Sequence, residues 1–330
     1  MRRIGQLLEQ AASFENLLRS FYLARQGCGA TPAVCRFFFQ LEPELLRLQH
    51  ELHSGAYQPG AYHYFPIHDP KERVIAVAPF RDRVVHHAII QVLTPIYERV
   101  FIFDSYATRP GKGTHVAIRR AQSFLRRRWW YWKTDIAKYF ESVDHDILLS
   151  LLWRKIKDHK LLVLLERIIR NTPVSGKGLP IGNLTSQFLA NVYLDPLDHF
   201  IKEHLRVKGY VRYMDDLVLF EQMKHVLLLH WSVIAEFLDR HLKLRINEPA
   251  TFLNRSAHGL SFLGMRIFPR FIRVKPENRR RSLRRLTRRI EDWQQGYLDE
   301  ATMQQSMTSI IGHLRYFCPR MRIEAGADAI

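Results

Sequence analysis

A chain of 330 residues, 47% of them apolar, can bury the core of one large domain or of two to three packed subdomains, which excludes a structural peptide or a disulfide-stapled mini-protein. Fifty Lys and Arg against 32 Asp and Glu leave a net charge of +18, so an anionic partner is expected: nucleic acid first, because such a field attracts phosphate and releases condensed counterions, and a membrane surface second. Cys28, Cys35 and Cys318 are too few and too scattered for a disulfide framework or zinc cluster, Glu9 and Glu15 interrupt any signal-like run, and no stretch of about eighteen apolar residues occurs; a reduced, cytoplasmic protein without membrane contact is expected.

In chain order, Leu7, Leu8, Ala11, Phe14, Leu17, Leu18 and Phe21 stand three and four residues apart, which predicts one amphipathic helix over residues 7–25. Residues 57–79, with Val74, Ile75 and Val77 among prolines and Gly60, read as short strands and turns, and helical spacing returns over 81–100. A loop follows with Arg109, Pro110, Gly111, Lys112 and Gly113. Residues 129–140 are aromatic and β-branched and predict a strand, then a turn, then a helix from Asp144. A glycine-punctuated loop at 176–182 leads into another helix. A hairpin is predicted over 210–220, a helix over 225–241, strands over 251–253, 260–268 and 271–274, and helix after Pro276.

Chemistry concentrates in Val211, Arg212, Tyr213, Met214, Asp215, Asp216, Leu217 and Val218. An acidic pair in a turn is ordinarily solvated, but here it lies between apolar runs that call for burial. Desolvating two like charges side by side costs several kcal/mol unless something positive neutralises them. A third carboxylate, Asp135, ends the aromatic segment Trp132, Lys133, Thr134. Adjacent strand residues point to opposite faces, yet at a tight turn both can approach one locus. Three carboxylates from two strands suit Mg²⁺, a hard cation that keeps waters and binds substrate phosphates, and two such ions serve nucleotidyl transfer.

Tyr213, Met214, Asp215 and Asp216 match the tetrad of reverse transcriptases, and the sequence around Asp135 resembles their first catalytic strand. Motif order is similar too: 73–87 and 104–115 resemble the two fingers motifs, 178–197 the substrate-pocket motif, 241–247 the motif after the catalytic hairpin, and 260–264 the primer-grip hairpin. The resemblance implies an α+β right-hand polymerase with helical/β fingers, antiparallel-sheet palm and helical thumb. The implied divisions are a helical N-terminal region over 1–56, fingers over 57–128, a palm over 129–275 with a helical excursion toward the fingers at about 150–180, and a basic helical thumb over 276–330. It also implies Asp135, Asp215 and Asp216 as catalytic ligands of two Mg²⁺ ions, helped by the backbone carbonyl of Ile136. Substrates would be dNTPs, a template RNA and a cDNA or primer strand.

Leu179, Pro180, Ile181, Gly182, Asn183, Leu184, Thr185, Ser186 and Gln187 narrow the resemblance. Intron and retroviral relatives usually place Gln before the glycine and Pro after the serine. With Ile181 and Gln187 in those places, the chain resembles the reverse transcriptases of diversity-generating retroelements, within the group II intron-like superfamily. That resemblance implies a bacterial or phage-encoded, error-prone enzyme that copies a template-repeat RNA with errors opposite adenine, assisted by a basic, oligomeric accessory variability protein. Isoleucine offers shape but no hydrogen-bond donor; one missing polar contact is worth about 1–3 kcal/mol, enough to loosen geometry checking.

By the same resemblance Arg73, Phe140, Ile181 and Gln187 bind dNTP, Phe140 as the gate against a 2′-hydroxyl, and Phe262, Leu263 and Gly264 form the primer grip. A fingers guanidinium suits bidentate phosphate contact. Lys71, Arg81, Arg109 and Lys112 are either phosphate contacts or ordinary surface charges. The lysine that relatives commonly carry beyond their Leu-x-Leu element is missing here; Lys243 lies inside it, so the acid that protonates pyrophosphate is unassigned.

Arg279, Arg280, Arg281, Arg284, Arg285, Arg288 and Arg289 surround an apolar stripe of Leu283, Leu286 and Ile290, a pattern for a helix packed on one side and cationic on the rest, poised for a nucleic-acid backbone. Arg126, Arg127 and Arg128 before Trp129 and Trp130 form a second basic site. Fifty-five residues follow Lys275, enough for a helical thumb and not for a nuclease domain, so outside help with priming and RNA removal is expected. Alternatives are a group II intron-like or phage-defence reverse transcriptase and, from another class, an inactive RNA-binding scaffold, against which the three retained carboxylates argue.

Overall fold

The computed structural model describes residues 3–26, 28–29, 31–68 and 72–317, so Lys71 and Cys318 lie outside the described residues. The helix expected over residues 7–25 is two, α1 (Leu7–Ala11) and α2 (Phe14–Arg25). The break has a local cause: Ser13 caps α2 by accepting from the Asn16 amide, an interaction that competes with continuing the helix. Helices α3 (Pro32–Phe39) and α4 (Leu41–Ser54) complete a helical group, followed by the antiparallel hairpin of β1 (His63–Ile67) and β2 (Arg73–Val77). Helices α5 (Phe80–Glu98) and α6 (Thr114–Leu125) come next.

The central sheet opens with β3 (Trp130–Thr134). Helices α7 (Tyr139–Ser142), α8 (His145–Trp153), α9 (His159–Arg170) and α10 (Leu184–His199) intervene before the hairpin β4 (Gly209–Tyr213) and β5 (Asp216–Glu221). Helix α11 (Lys224–Leu242) then leads to β6 (Phe252–Arg255), giving strand order β4-β5-β3-β6 with every pair antiparallel. The strand expected over 260–268 is instead a hairpin, β7 (Leu260–Phe262) and β8 (Met265–Ile267), joined by β9 (Ile272–Val274) into a second sheet. Leu263 and Gly264 make its two-residue turn with φ 47° and 81°; positive φ at both central positions matches the right-handed twist of a hairpin. Two helices, α12 (Pro276–Gln294) and α13 (Glu300–Phe317), follow.

Alternation along the central strands sorts two cores. Trp132, Leu217, Leu219 and Tyr210 face the larger core with α8 to α11, while Tyr131, Val211, Val218 and Phe220 face a smaller one with α6 and β7 to β9. The mixed helix and antiparallel-sheet architecture is the α+β class expected from sequence. No described helix is long and apolar enough to cross a membrane.

Candidate active site

The register of the central sheet brings the predicted carboxylates together. β3 pairs with β5 from Trp130↔Glu221 to Thr134↔Leu217, and continuing that register by one residue sets Asp135 opposite Asp216. Met214 and Asp215 form the β4–β5 turn, with Met214 at φ 56°, a left-handed conformation uncommon for a bulky side chain and held here by its surroundings. Among them, the Arg212 guanidinium donates from Nη1 to the Met214 carbonyl at 3.1 Å.

Burial pushes the Asp215 carboxyl up to about 6, and the neighbouring Asp216 and Asp135 charges push the same way. A hydrogen bond with its own backbone and the Arg73 charge oppose them. Asp216 is held by Lys133, whose Nζ lies 3.0 Å from Oδ1 in a mostly buried pair. The sequence pointed to a positive group beside the acidic pair; in the protein itself Lys133 supplies part of it, a role the sequence reading missed. Alternation could have shown it, because Lys133 precedes Asp135 by two residues and shares its face.

Among the described residues no group of three or more His, Cys, Asp or Glu side chains is arranged to hold a metal ion by itself. The donor chemistry still fits Mg²⁺, which is usually held by one or two carboxylates together with waters and substrate phosphates rather than by an all-protein cage. Burial first, and the Asp216 and Asp135 charges after it, raise Asp215, and added positive charge would oppose both. The segment carrying Ile136 is fixed beside the carboxylates, since the Asn247 amide donates to the Asp135 carbonyl at 2.9 Å and the Ala137 amide to the Arg245 carbonyl at 2.9 Å.

Of the predicted pocket residues, Arg73 and Ile181 are brought together by the loop before α10, while Phe140 and Gln187 are not among the residues that line their cavity. On one side the Gly178 amide donates to the Val143 carbonyl (2.8 Å), the Leu179 amide to the Phe140 carbonyl (2.7 Å), and the buried His145 ring bonds from Nε2 to the Gly178 carbonyl (2.7 Å). On the other, the Ala76 amide of β2 donates to the Ile181 carbonyl (2.8 Å) and Asn183 Nδ2 to the Ala76 carbonyl (3.0 Å). Gly182 makes that approach possible: at φ +114° a Cβ would come within 2.9 Å of Ile75 Cγ2 and 3.1 Å of the Ala76 oxygen. Arg73 and Ile181 consequently line one cavity of about 340 Å³, together with Glu141, Lys177 and Leu179. Phe140 is partly buried, packed edge-on against Tyr139, and Gln187 Oε1 accepts from Thr108 Oγ1 at 3.3 Å. His145 and Asn183, which tie this loop down, were not singled out from sequence.

Several residues left open by the sequence are structural. Arg109 forms an ion pair with Glu98 and donates to the Ile102 and Ser105 carbonyls, Arg81 pairs with Glu51, and Lys112 donates to the Phe103 carbonyl. Lys243 pairs with Asp144 at 2.7 Å, the residue that caps α8. In the hairpin predicted as the primer grip Phe262 is buried in the smaller core, so Leu263 and Gly264 are its outward part. The Gly264 carbonyl accepts from the Lys275 amide (3.2 Å) and Asn278 Nδ2 (3.1 Å), which fixes the turn to the start of α12. On α12, Arg279, Arg280, Arg281, Arg284, Arg285 and Arg288 are exposed and Arg289 is half-buried; of the expected apolar stripe Leu286 is buried while Leu283 and Ile290 are half-buried.

A family model described as "Reverse transcriptase (RNA-dependent DNA polymerase)" matches residues 66–267. Among curated proteins the chain is similar to Protein YkfC of Escherichia coli, 28% identical over 277 residues covering 69% of this chain and 72% of that protein. It is also 28% identical over 170 residues to the group II intron-encoded protein LtrA of Lactococcus lactis, covering 48% of this chain but 28% of that protein. Among solved structures, apo telomerase from Candida tropicalis superposes with a TM-score of 0.51 at 11% identity over 66% of this chain and 49% of that one, a likeness of fold.

Proposed function

The chain belongs to the reverse transcriptase family of RNA-directed DNA polymerases, and from that premise we propose that it copies a template-repeat RNA into cDNA with frequent errors opposite adenine, diversifying a target gene. One observation carries this reading: Ile181, which has no side-chain donor, occupies the loop position held against β2 and lines the same cavity as Arg73. A nascent pair there is checked by shape alone, and discrimination worth about 1–3 kcal/mol is absent. Asp135, Asp215 and Asp216, with the Ile136 carbonyl, would hold two Mg²⁺ ions, which supply charge for in-line displacement of pyrophosphate by the primer hydroxyl. Around them Arg73 binds triphosphate, Phe140 excludes the 2′-hydroxyl, and Gln187 supports the pocket from α10. The turn at Leu263 and Gly264 guides the primer, and the α12 arginines grip the duplex backbone. In this reading residues 57–128 are fingers, 129–275 palm and 276–330 thumb, working with an accessory variability protein.

Sequencing the cDNA made from a defined adenine-rich RNA tests it. Errors concentrated opposite adenine are expected, and Ile181→Gln is expected to lower them by about ten- to a hundredfold. An unchanged error spectrum in that variant removes Ile181 as the cause. Accurate copying by the wild type rejects the mutagenic function while leaving a polymerase. Phe140→Ala is expected to raise ribonucleotide incorporation in the same extension assay, and unaltered sugar discrimination removes the gate. The similarity to LtrA favours a second reading, a group II intron-like reverse transcriptase. A repeat pair at the locus differing at adenines separates the two.

A further inference from the structure

Lys133 is engaged in an unusual place for a lysine that serves only structure. It reaches diagonally across the sheet, from its position opposite Val218 to Asp216 two residues away on β5, and its side chain is 19% exposed against 27% for the carboxylate. A second lysine, Lys275, stands on the same side: burial lowers its pKa, the Lys133 charge adds to that lowering, Arg266 acts likewise, and Glu277 and Asp216 counteract it. Lys275 opens α12, and its amide is bound to the Gly264 carbonyl of the outward turn. Lys133 and Lys275 thus both feel the Asp216 carboxylate, with Glu277 the second acid acting on Lys275, beside the turn predicted to guide the primer.

We propose that Lys133 is the counter-ion of Asp216 in the unloaded enzyme and transfers to a primer-strand phosphate when a divalent cation takes that carboxylate. The inference rests on the polymerase reading above and deepens it, because it makes metal loading and nucleic-acid binding mutually reinforcing. The charge arithmetic gives the direction. With Asp216 engaged by a divalent ion, the Lys133 ammonium is left without its counter-charge beside that ion and Lys275, and both repel it. A phosphodiester is the ligand that restores neutrality, and the flexible lysine stem allows the exchange without moving the sheet. By linkage, whatever draws Lys133 away from Asp216 tightens metal binding, and the metal tightens nucleic-acid binding by the same factor.

The test uses the full chain, Mn²⁺ as the probe followed by electron paramagnetic resonance of the free ion, and an RNA template with a DNA primer ending in a dideoxynucleotide. Wild type is expected to bind Mn²⁺ about fivefold or more tightly when the duplex is present. Lys133→Met is expected to bind Mn²⁺ about tenfold more tightly than wild type without duplex, and duplex should add less than about twofold. Lys133→Gln should behave as Lys133→Met, and Lys133→Arg, which keeps the ion pair, as wild type; thermal melts establish that each variant is folded. Equal Mn²⁺ affinity in wild type and both neutral variants without duplex overturns the proposal, even if wild type extends an ordinary primer. A wild type that binds Mn²⁺ yet extends no primer overturns the polymerase reading and this inference with it.

Discussion

Replacing Asp215 with asparagine is expected to reduce primer extension at least about a thousandfold while leaving the folded chain as stable as the wild type or more so. Asparagine keeps the size of the side chain and one oxygen but removes the charge that a divalent ion requires. The two halves of the prediction have one source. Burial and the neighbouring Asp216 and Asp135 charges push Asp215 up to about 6, so the fold holds this carboxylate against its preference for water. Removing the charge removes that opposition, as expected where catalysis rather than stability dictates the residue. Extension on an RNA template with Mg²⁺ and urea unfolding of the same preparations measure both. Chelation should abolish wild-type extension and added Mg²⁺ restore it. Retained activity in Asp215→Asn would remove the carboxylate from the mechanism, and a stability loss above about 2 kcal/mol would make it a structural residue instead.

The largest loss of stability is expected from Arg212→Met, about 3–5 kcal/mol by urea unfolding. Arg212 is wholly buried and forks onto Asp198, with Nε at 2.8 Å from Oδ1 and Nη2 at 2.6 Å from Oδ2. Tyr210 Oη donates to the same carboxylate at 2.8 Å, and Arg212 Nη1 donates to Asn191 Oδ1 at 3.0 Å. Burial pushes the Asp198 carboxyl up while the guanidinium pulls it down, and Asp198 in turn holds Arg212 protonated. The bidentate geometry keeps the pair ionised. Methionine leaves Asp198 buried without its cation, a cost larger than the net worth of the pair. Because the same guanidinium also holds the Met214 carbonyl, extension should fall with stability. Replacing both partners, Arg212→Met with Asp198→Leu, should recover part of the stability and little activity, since the turn remains unsupported. A single variant as stable as wild type would sink this account.

Local signals explain what was readable. Aromatic and β-branched residues marked β3, the tetrad marked a tight hairpin, and three- and four-residue spacing marked α5, α11 and α12. Spacing failed at residues 7–25 because Ser13, a good cap, sits inside an otherwise continuous apolar pattern. It also failed at 260–268, where the apolar pattern runs on through Leu263 while Leu263 and Gly264 turn the chain between β7 and β8. Arg109 could not be separated from phosphate-binding residues by sequence, and the place of Lys243 inside the Leu-x-Leu element did not reveal its role, because their partners Glu98 and Asp144 lie 11 and 99 positions away.

By itself the sequence determined the acidic trio, the hairpin that carries two of its members, the arginine face of α12 and the excess charge that calls for an anionic partner. These are encoded in residue type and short spacing, which backbone geometry converts directly into strands, turns and helix faces. Only the tertiary structure decided that Lys133 holds Asp216, that Arg212 and Asp198 support the turn from below, and that Ile181 and Arg73 meet in one cavity. Those pairings depend on strand register and on how layers stack, and a charge has no preference among distant partners until burial brings one of them within reach.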